Sequence, residues 1–539
     1  MTSILKYLNR ALLVLLLAAF AACSDNEGGN ESNGNGDDGN TETPADGDTY
    51  GYIKDTNGNP VEGVVVSDGY SCTATDAEGR YALTRNADAG FVFYSLPSAY
   101  KVSVDKTYKL PRFFARLQAG TARYDFTLEA LAAPEKRFDL ICIGDPQINE
   151  ASHAVRFKEE AGREIREYAA SAGVPCYGIT LGDIGWNTEN TDYTNDVFPL
   201  MKKAMQTDKV GLPLFQVMGN HDNKVIAVSK DNYTVAHDIA AQRNFEYIFG
   251  YSFDRGNVHI IAMDNIIFPS HKDYSLGFRD DQVEWLRQDL SYVSKDKMVI
   301  LCVHIPMRAS GNQNVQAVFE LLKPFAEVHV MSGHTHYAEN NVYDSHYEHV
   351  HGAACGAWWN STINVDGTPN GYAIYNIKGA TITDWVYKGT GLDAQQQIRL
   401  YRANDIFMRD YSKNYQFYYK GDDQIVANVW NADKDWKIEV YENGIKTGEM
   451  THFDYTGNEK DKSWDAWALG YHIGVVGKAE LDSNKKPTSY YQRNVRHLYY
   501  YTLQSPTASV EVRATDRFGT TFTQTKFTTG LAEDFPVGE

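Results

Sequence analysis

At 539 residues the chain is too long for one hydrophobic core and implies two to four domains, while 43% apolar and 13% aromatic content supports ordinary globular packing. A formal charge of −19 disfavours nucleic acid as a partner, and no nucleic-acid binding surface is expected.

Residues 1–22 read as a targeting segment. Lys6 and Arg10 form a basic region, Ala11 to Phe20 a short apolar run, and Ala21-Ala22-Cys23 a small-residue cleavage site; the run is too short to span a bilayer. This stretch resembles the lipobox of bacterial lipoproteins, although Phe20 stands where an aliphatic residue is usual. The resemblance implies export and a membrane partner through lipid on Cys23. Ser24-Asp25-Asn26-Glu27 resembles surface-export signals of some bacterial lipoproteins, so the outer membrane is expected, on its periplasmic or its cell-surface face. Residues 23–48, rich in Gly, Asn, Ser, Thr and acid, form a disordered tether. Removing Lys6 and Arg10 with the leader, and setting aside the tether's eight acids, leaves about −13 on the folded part. The five other cysteines are odd in number and lack short-range pairing, which argues against a disulfide framework. Cys142, Cys176 and Cys302 sit in apolar runs as small core residues.

Residues 49–133 read as an all-β sandwich. Asn57-Gly58 separates two strand-like runs, and Thr75 to Leu83 repeats the pattern. This pattern resembles the carboxypeptidase-regulatory-like sandwiches that precede exported bacterial enzymes, and it is open to glycan contact or to service as a spacer packed on the next domain. Asp76 and Glu78 read as turn residues rather than calcium ligands.

Between 137 and 389, strands and helices alternate. Apolar runs predict strands at 138–143, 176–181, 214–218, 258–263, 298–303 and 328–332. Apolar faces and caps predict helices at 151–172, from Asn195 to about 205, from a cap at Asp280, and at 314–322. Such alternation indicates a layered α/β fold whose ligands bind beyond the carboxyl ends of the strands.

The chemistry sits at those ends. In order come Gly144-Asp145-Pro146-Gln147, Gly182-Asp183, Gly219-Asn220-His221-Asp222, His304, and Gly333-His334-Thr335-His336. Each block offers oxygen or imidazole donors where a strand opens into a loop, as a pair of divalent ions requires. No serine or cysteine nucleophile elbow is present. His259 and His329, inside apolar runs, read as satisfied core residues.

Five blocks in this order resemble the calcineurin-like metallophosphoesterases, whose motifs run D-x-H, G-D, G-N-H-D/E, H and G-H-x-H. The resemblance implies a four-layer αββα sandwich. The flanking regions resemble the extra N-terminal and C-terminal domains of a subgroup of exported bacterial proteins. It also implies one ion held by Asp145, Gln147, Asp183 and His336, and a second held by Asp183, Asn220, His304 and His334, with Asp183 shared. The ions would ready a water for in-line attack on phosphorus, and His221 would protonate the leaving oxygen. Two departures stand out. Gln147 replaces the usual histidine, which resembles a D-P-Q branch that includes predicted protein phosphatases and tilts the metal choice toward Mn, Fe or Mg over Zn. Trp186 stands where many relatives carry a carboxylate that orients the acid histidine, a role left open to Asp222, Asn187 or backbone. Asn220, Arg308 and His351 are the expected contacts to substrate, and Trp186, Trp358 and Trp359 either line the cleft or pack.

Residues 395–535 carry recurrent strand signals and read as a second β-sandwich, its aromatic residues open to carbohydrate contact or to core packing. The sequence therefore points to an exported, lipid-anchored phosphoric ester hydrolase that uses two divalent ions. One scaffold serves monoesters and diesters alike. The alternative is a catalytically weakened surface glycan- or ligand-binding lipoprotein on a phosphoesterase scaffold, supported by Gln147, Trp186 and the flanking sandwiches.

Overall fold

Apolar runs without alternation are strands buried on both faces, and two such sheets form the centre of the molecule. The computed structural model describes residues 47–186, 197–222, 247–248, 250–269, 273–308, 312–403, 423–453, 464–472, 476 and 495–529. The targeting segment, Cys23, nearly all of the tether, Asn187 and Asn195 lie outside the described residues.

The first sheet runs Leu214–Phe215, Cys176–Thr180, Arg137–Ile143, Gly371–Lys378, Thr381–Gly389; its first three strands are parallel and the last two antiparallel. The second runs Tyr251–Arg255, Val258–Ala262, Met298–Cys302, Glu327–Ser332, Tyr347–Val350, Glu339–Val342, parallel through its centre with antiparallel edges. The sheets face each other. Phe215 stacks on Phe253 with centroids 3.9 Å apart, and Trp385 meets Tyr347 edge-on at 5.3 Å. Helices Ala151–Glu159 and Ala161–Ser171 cover the first sheet, where Tyr168 donates to Asp139 at 2.8 Å and Lys388 reaches Glu164 at 2.7 Å. Asp280–Ser291 and Val315–Leu322 flank the second sheet, where His259 bonds Asp289 at 2.8 Å and Phe319 stacks on His346 at 4.3 Å. The expected four-layer αββα sandwich is what these residues build.

Local expectations shift in three places. The helix expected over 151–172 breaks at Glu160, whose φ of −92° and ψ of −103° are not helical and whose carboxylate is taken by Arg156 at 2.6 Å and by Asn370 at 3.2 Å. The strand expected over 214–218 is paired only at Leu214–Phe215, because the Gln216 amide turns to the Tyr251 hydroxyl at 3.0 Å. The cap of the next helix is Arg279, not Asp280: the Gln282 side chain accepts from the Arg279 backbone N–H at 2.8 Å.

The N-terminal β-sandwich has a three-strand and a four-strand sheet, ordered Arg80–Leu83, Thr49–Asp55, Phe126–Leu128 and Cys72–Ala74, Val65–Ser67, Phe91–Tyr94, Phe114–Arg116. It packs on the central sandwich. Arg255, fully buried, donates to the carbonyls of Pro97 and Tyr100 at 2.9 Å each, and Trp285 donates to Ser67 at 3.2 Å. Asp76 accepts the amides of Glu78 and Arg80 at 3.1 and 2.8 Å, closing a turn as expected.

Among the described residues, the C-terminal β-sandwich has two four-strand sheets, ordered Ile398–Arg402, Gln424–Val429, Leu498–Thr502, Thr451–His452 and Ile445–Glu449, Lys437–Glu442, Val510–Thr515, Thr521–Gln524. A buried polar seam joins it to the centre. Asp366 accepts from the Ala338 amide and the Thr368 hydroxyl at 2.8 Å and faces His497 Nε2 at 3.0 Å, while His497 Nδ1 lies 2.8 Å from Asn428 Oδ1. Among the described residues, no helix is long and apolar enough to cross a membrane.

Candidate metal centre

Every expected ligand leaves the carboxyl end of a strand or the loop that follows it, and the five loops meet on one rim. His304 is the hub. Its Nδ1 donates to the Leu181 carbonyl at 2.7 Å, which leaves Nε2 facing Asn220 Oδ1 at 3.0 Å, His334 Nδ1 at 3.1 Å and Asp183 Oδ1 at 3.3 Å. On the other side, Gln147 Nε2 lies 3.2 Å from Asp183 Oδ2, and His336 Nε2 lies 3.5 Å from Asp145 Oδ1. His336 Nδ1 donates to the Gly356 carbonyl at 3.2 Å, turning the opposite nitrogen toward Asp145. All seven expected ligands thus come together, and coordinating atoms of Asp183, His304 and His334 lie within 4.8 Å of one another.

The backbone is bent to achieve this. Ten described residues other than glycine have positive φ, and five of them are Asp145 (44°), Gln147 (43°), Asp183 (48°), His334 (70°) and His336 (53°). Residues that L side chains rarely adopt such angles for cost about 1–3 kcal/mol each and cluster where function holds them. Two glycines allow the loops to touch. A Cβ on Gly219 would stand 2.0 Å from the Asp183 nitrogen, and one on Gly333 would stand 2.4 Å from Asp145 Oδ2.

The donor set fits divalent cations. Asp145 is fully buried, its Oδ2 accepts the His334 amide at 2.8 Å, and its Oδ1 has no hydrogen-bond partner. A buried carboxylate oxygen left bare is costly unless a cation meets it. Burial and the nearby Asp183 charge push the Asp145 carboxyl well above its ordinary range. Burial would lift Asp183 too, but the facing imidazoles of His304, His221 and His334 hold it below the usual range. Burial, with the charge of His304, lowers His334 to about 3, and burial lowers His336 to about 4, so both rings stay neutral as metal binding requires.

His221 lies at this rim. Its amide donates to Asp183 Oδ1 at 2.8 Å, and its ring lies flat on Trp186 with centroids 4.1 Å apart and planes at 17°. Trp358 stacks on His336 at 4.7 Å, and Tyr274 meets His334 edge-on at 5.7 Å. An aromatic thus stands against each of three site histidines.

The geometry gives three expected residues partners within the protein. The oxygens of Asp222 accept the amides of Gly219 (2.8 Å), Gly185 (2.9 Å) and Ile184 (3.2 Å), clamping two ligand loops together. Arg308 is not spare for a phosphate oxygen, because it is ion-paired with the buried Glu339 and bonded to the Tyr337 hydroxyl. His351 is buried and both ring nitrogens are taken, Nδ1 by the Ser332 carbonyl at 2.9 Å and Nε2 by the Tyr375 hydroxyl at 2.8 Å. Sequence reasoning missed Cys355, whose Sγ lies 3.8 Å from Gln147 Oε1 and 4.0 Å from His336 Nδ1, and Tyr274. No motif spacing marks either residue.

Among curated proteins no sequence match is found. Among solved structures, the chain is similar to a purple acid phosphatase from yellow lupin (Lupinus luteus) seeds, at 12% identity and a TM-score of 0.32 over 48% of this chain and 55% of that one. It is similar to the 5'-nucleotidase of Candida albicans at 12% identity and a TM-score of 0.32, over 47% and 51%. A phosphopantetheinyl hydrolase of Mycobacterium tuberculosis matches at 12% identity and a TM-score of 0.26, over 40% and 90%. The chain therefore spans about half the length of the first two.

Three family models match in succession: the N-terminal domain of calcineurin-like phosphoesterase at residues 48–131, calcineurin-like phosphoesterase itself at 125–338, and its C-terminal domain at 348–522. The third begins inside the central fold, since the strands Gly371–Lys378 and Thr381–Gly389 complete the first sheet. Together the motif blocks, the αββα sandwich and these three matches establish that the chain belongs to the calcineurin-like phosphoesterases, a family of metal-dependent phosphoric ester hydrolases, with that family's accessory domains on either side.

Proposed function

We propose that the chain hydrolyses phosphate esters with two divalent ions, one held by Asp145, Gln147, Asp183 and His336 and the other by Asp183, Asn220, His304 and His334. The observation that carries this reading is the meeting of seven donor side chains on one rim, five of them on left-handed backbone, with the buried Oδ1 of Asp145 left without a hydrogen-bond partner. When bound, two such ions supply positive charge for phosphoryl oxygens and lower the pKa of a water.

The chain's own residues then divide the work. Neutral His334 and His336 keep negative charge low where an anionic ester must enter. The Asn220 carboxamide is placed to steady a phosphoryl oxygen. Water loses one proton to solvent as its oxygen bonds to phosphorus, the bond to the ester oxygen breaks, and His221 gives its ring proton to the departing oxygen. Carboxamide and carboxylate donors favour Mn, Fe or Mg over Zn. The aromatic rings of Trp186, Tyr274 and Trp358 suit a leaving group with a flat face, such as a sugar or a nucleoside.

The leader, the lipobox-like Cys23 and the polar tether support an exported protein anchored to the outer membrane. Cys23→Ala should move it from the membrane to the soluble fraction; membrane retention in that variant would end the anchoring proposal.

Chelator-stripped protein reloaded with Mn should cleave para-nitrophenyl phosphate or its bis-ester, and Asn220→Ala and His334→Ala should abolish cleavage. Undiminished turnover in both variants would overturn the site. Binding on a glycan array with neither ester cleaved would replace this reading with a glycan-binding one.

A further inference from the structure

The carboxamide of Gln147 is the one place where the ligand set and the chemistry of ligation disagree. Its Nε2 points at Asp183 Oδ2, 3.2 Å away, and its Oε1 points away from the centre toward Cys355 Sγ at 3.8 Å. A carboxamide ligates a hard cation through oxygen, and its NH₂ group carries only donors. A half-turn of the amide about its terminal bond exchanges the two atoms.

That half-turn brings Nε2–H to the sulfur of Cys355. The thiol is fully buried and lies 3.5 Å from the Gly356 carbonyl, which also receives His336 Nδ1 at 3.2 Å. Its S–H can therefore face the carbonyl while its lone pairs face the amide. The loop bearing Cys355 is fixed against the same segment as Gln147: Ala354 donates to the Gly144 carbonyl at 2.7 Å, and Trp359 Nε1 donates to the carbonyls of Pro146 and Gln147 at 3.0 and 3.2 Å. Cys355 thus touches both Gln147 and His336, two donors assigned to one ion.

We infer that Cys355 is the positioning residue of Gln147: when the amide oxygen faces an ion, its Nε2–H donates to Cys355 Sγ. An imidazole in that position, as the family ordinarily has, would not need the sulfur. The inference rests on the two-ion reading above and adds a partner to one of its ligands. Hydrogen-bond partners behind a ligand are typically worth about 10- to 100-fold in metal affinity.

The test is Mn²⁺ binding to the chelator-stripped full chain, followed by isothermal titration and by metal content after gel filtration, with melting temperature read with and without Mn²⁺. Wild type should bind two Mn²⁺. Cys355→Ala should weaken one of them about tenfold, leave the other unchanged, and shrink the Mn²⁺-induced rise in melting temperature while the metal-free melting temperature holds. Cys355→Ser, which restores a lone pair, should recover most of the loss. In a Gln147→His background, Cys355→Ala should cost nothing further. Wild-type Mn²⁺ affinity at both sites in Cys355→Ala would overturn the inference and leave the two-ion reading intact, as would equal losses in the Ala and Ser variants. A wild type that takes up no Mn²⁺ would overturn both. Should Cys355→Ala fail to fold, the Cys355→Ser comparison decides alone, and a Mn²⁺ affinity more than tenfold below wild type overturns the inference.

Discussion

Trp186 lies nearly parallel to His221, ring on ring at 4.1 Å, in the position where many relatives carry a carboxylate. The contact is prepared by the backbone. Asp222 binds the amides of Ile184 and Gly185, the two residues before Trp186, and it directly follows His221 in the chain. One carboxylate therefore sets the approach of both rings and brings the flat face of the indole against the imidazole.

Trp186→Leu should lower kcat about tenfold with KM within threefold of wild type, and Trp186→Phe should restore most of the loss. Steady-state kinetics on an alkyl and an aryl phosphate would show it, with the alkyl ester, whose leaving oxygen needs the proton more, losing more. A change confined to KM would assign Trp186 to substrate contact instead.

Gly219→Ala should abolish metal uptake. The added methyl would meet the Asp183 nitrogen at 2.0 Å and its Oδ1 at 2.2 Å, and the Asp183 backbone leaves it no room. Overpacking of this kind costs about 1–3 kcal/mol. Metal analysis after gel filtration, alongside a thermal melt, separates loss of the site from loss of the fold.

His259 gives the pH dependence of stability. It is buried between Asp254 and Asp289, 2.8 Å from each, with Lys297 on the far oxygen of Asp254. Burial disfavours its charge, but the two carboxylates prevail and raise it to about 9. A histidine raised from an ordinary 6.5 stabilises the fold fully below pH 6.5, and that contribution disappears as pH rises toward 9. The span corresponds to on the order of 3 kcal/mol. The melting temperature should therefore fall between pH 6.5 and 9, and the fall should be shallower in His259→Asn. An equal slope in the two proteins would remove His259 as its source.

Asp366→Ala should lower stability by about 3 kcal/mol, since it strips partners from the Ala338 amide, Thr368 and the buried His497 at once. Ala338 is two residues beyond His336, so metal affinity should fall with stability. Denaturant unfolding and Mn²⁺ titration of the same preparation would test both halves.

Much of this was legible in the sequence because strand-end motifs need only local order. Glycine before Asp183, Asn220 and His334 marks a turn, and unbroken apolar runs such as Met298–Cys302 mark strands buried on both faces. Contacts between distant segments were not legible. Nothing near Arg308 announces Glu339, and nothing near Gln147 announces Cys355, 208 positions away. His351 looked available because a histidine near a metal motif carries no sign of whether a tyrosine lies behind it. The break at Glu160 likewise depends on Asn370, which reaches it from a loop 210 residues on.

The left-handed ligands have a consequence for ancestry. Glycine would occupy those five backbone positions at little steric expense, yet none of the five is glycine or asparagine. A descendant that abandoned hydrolysis would be free to relax, and glycine at 145, 147, 183, 334 or 336 would be the fossil of a retired enzyme.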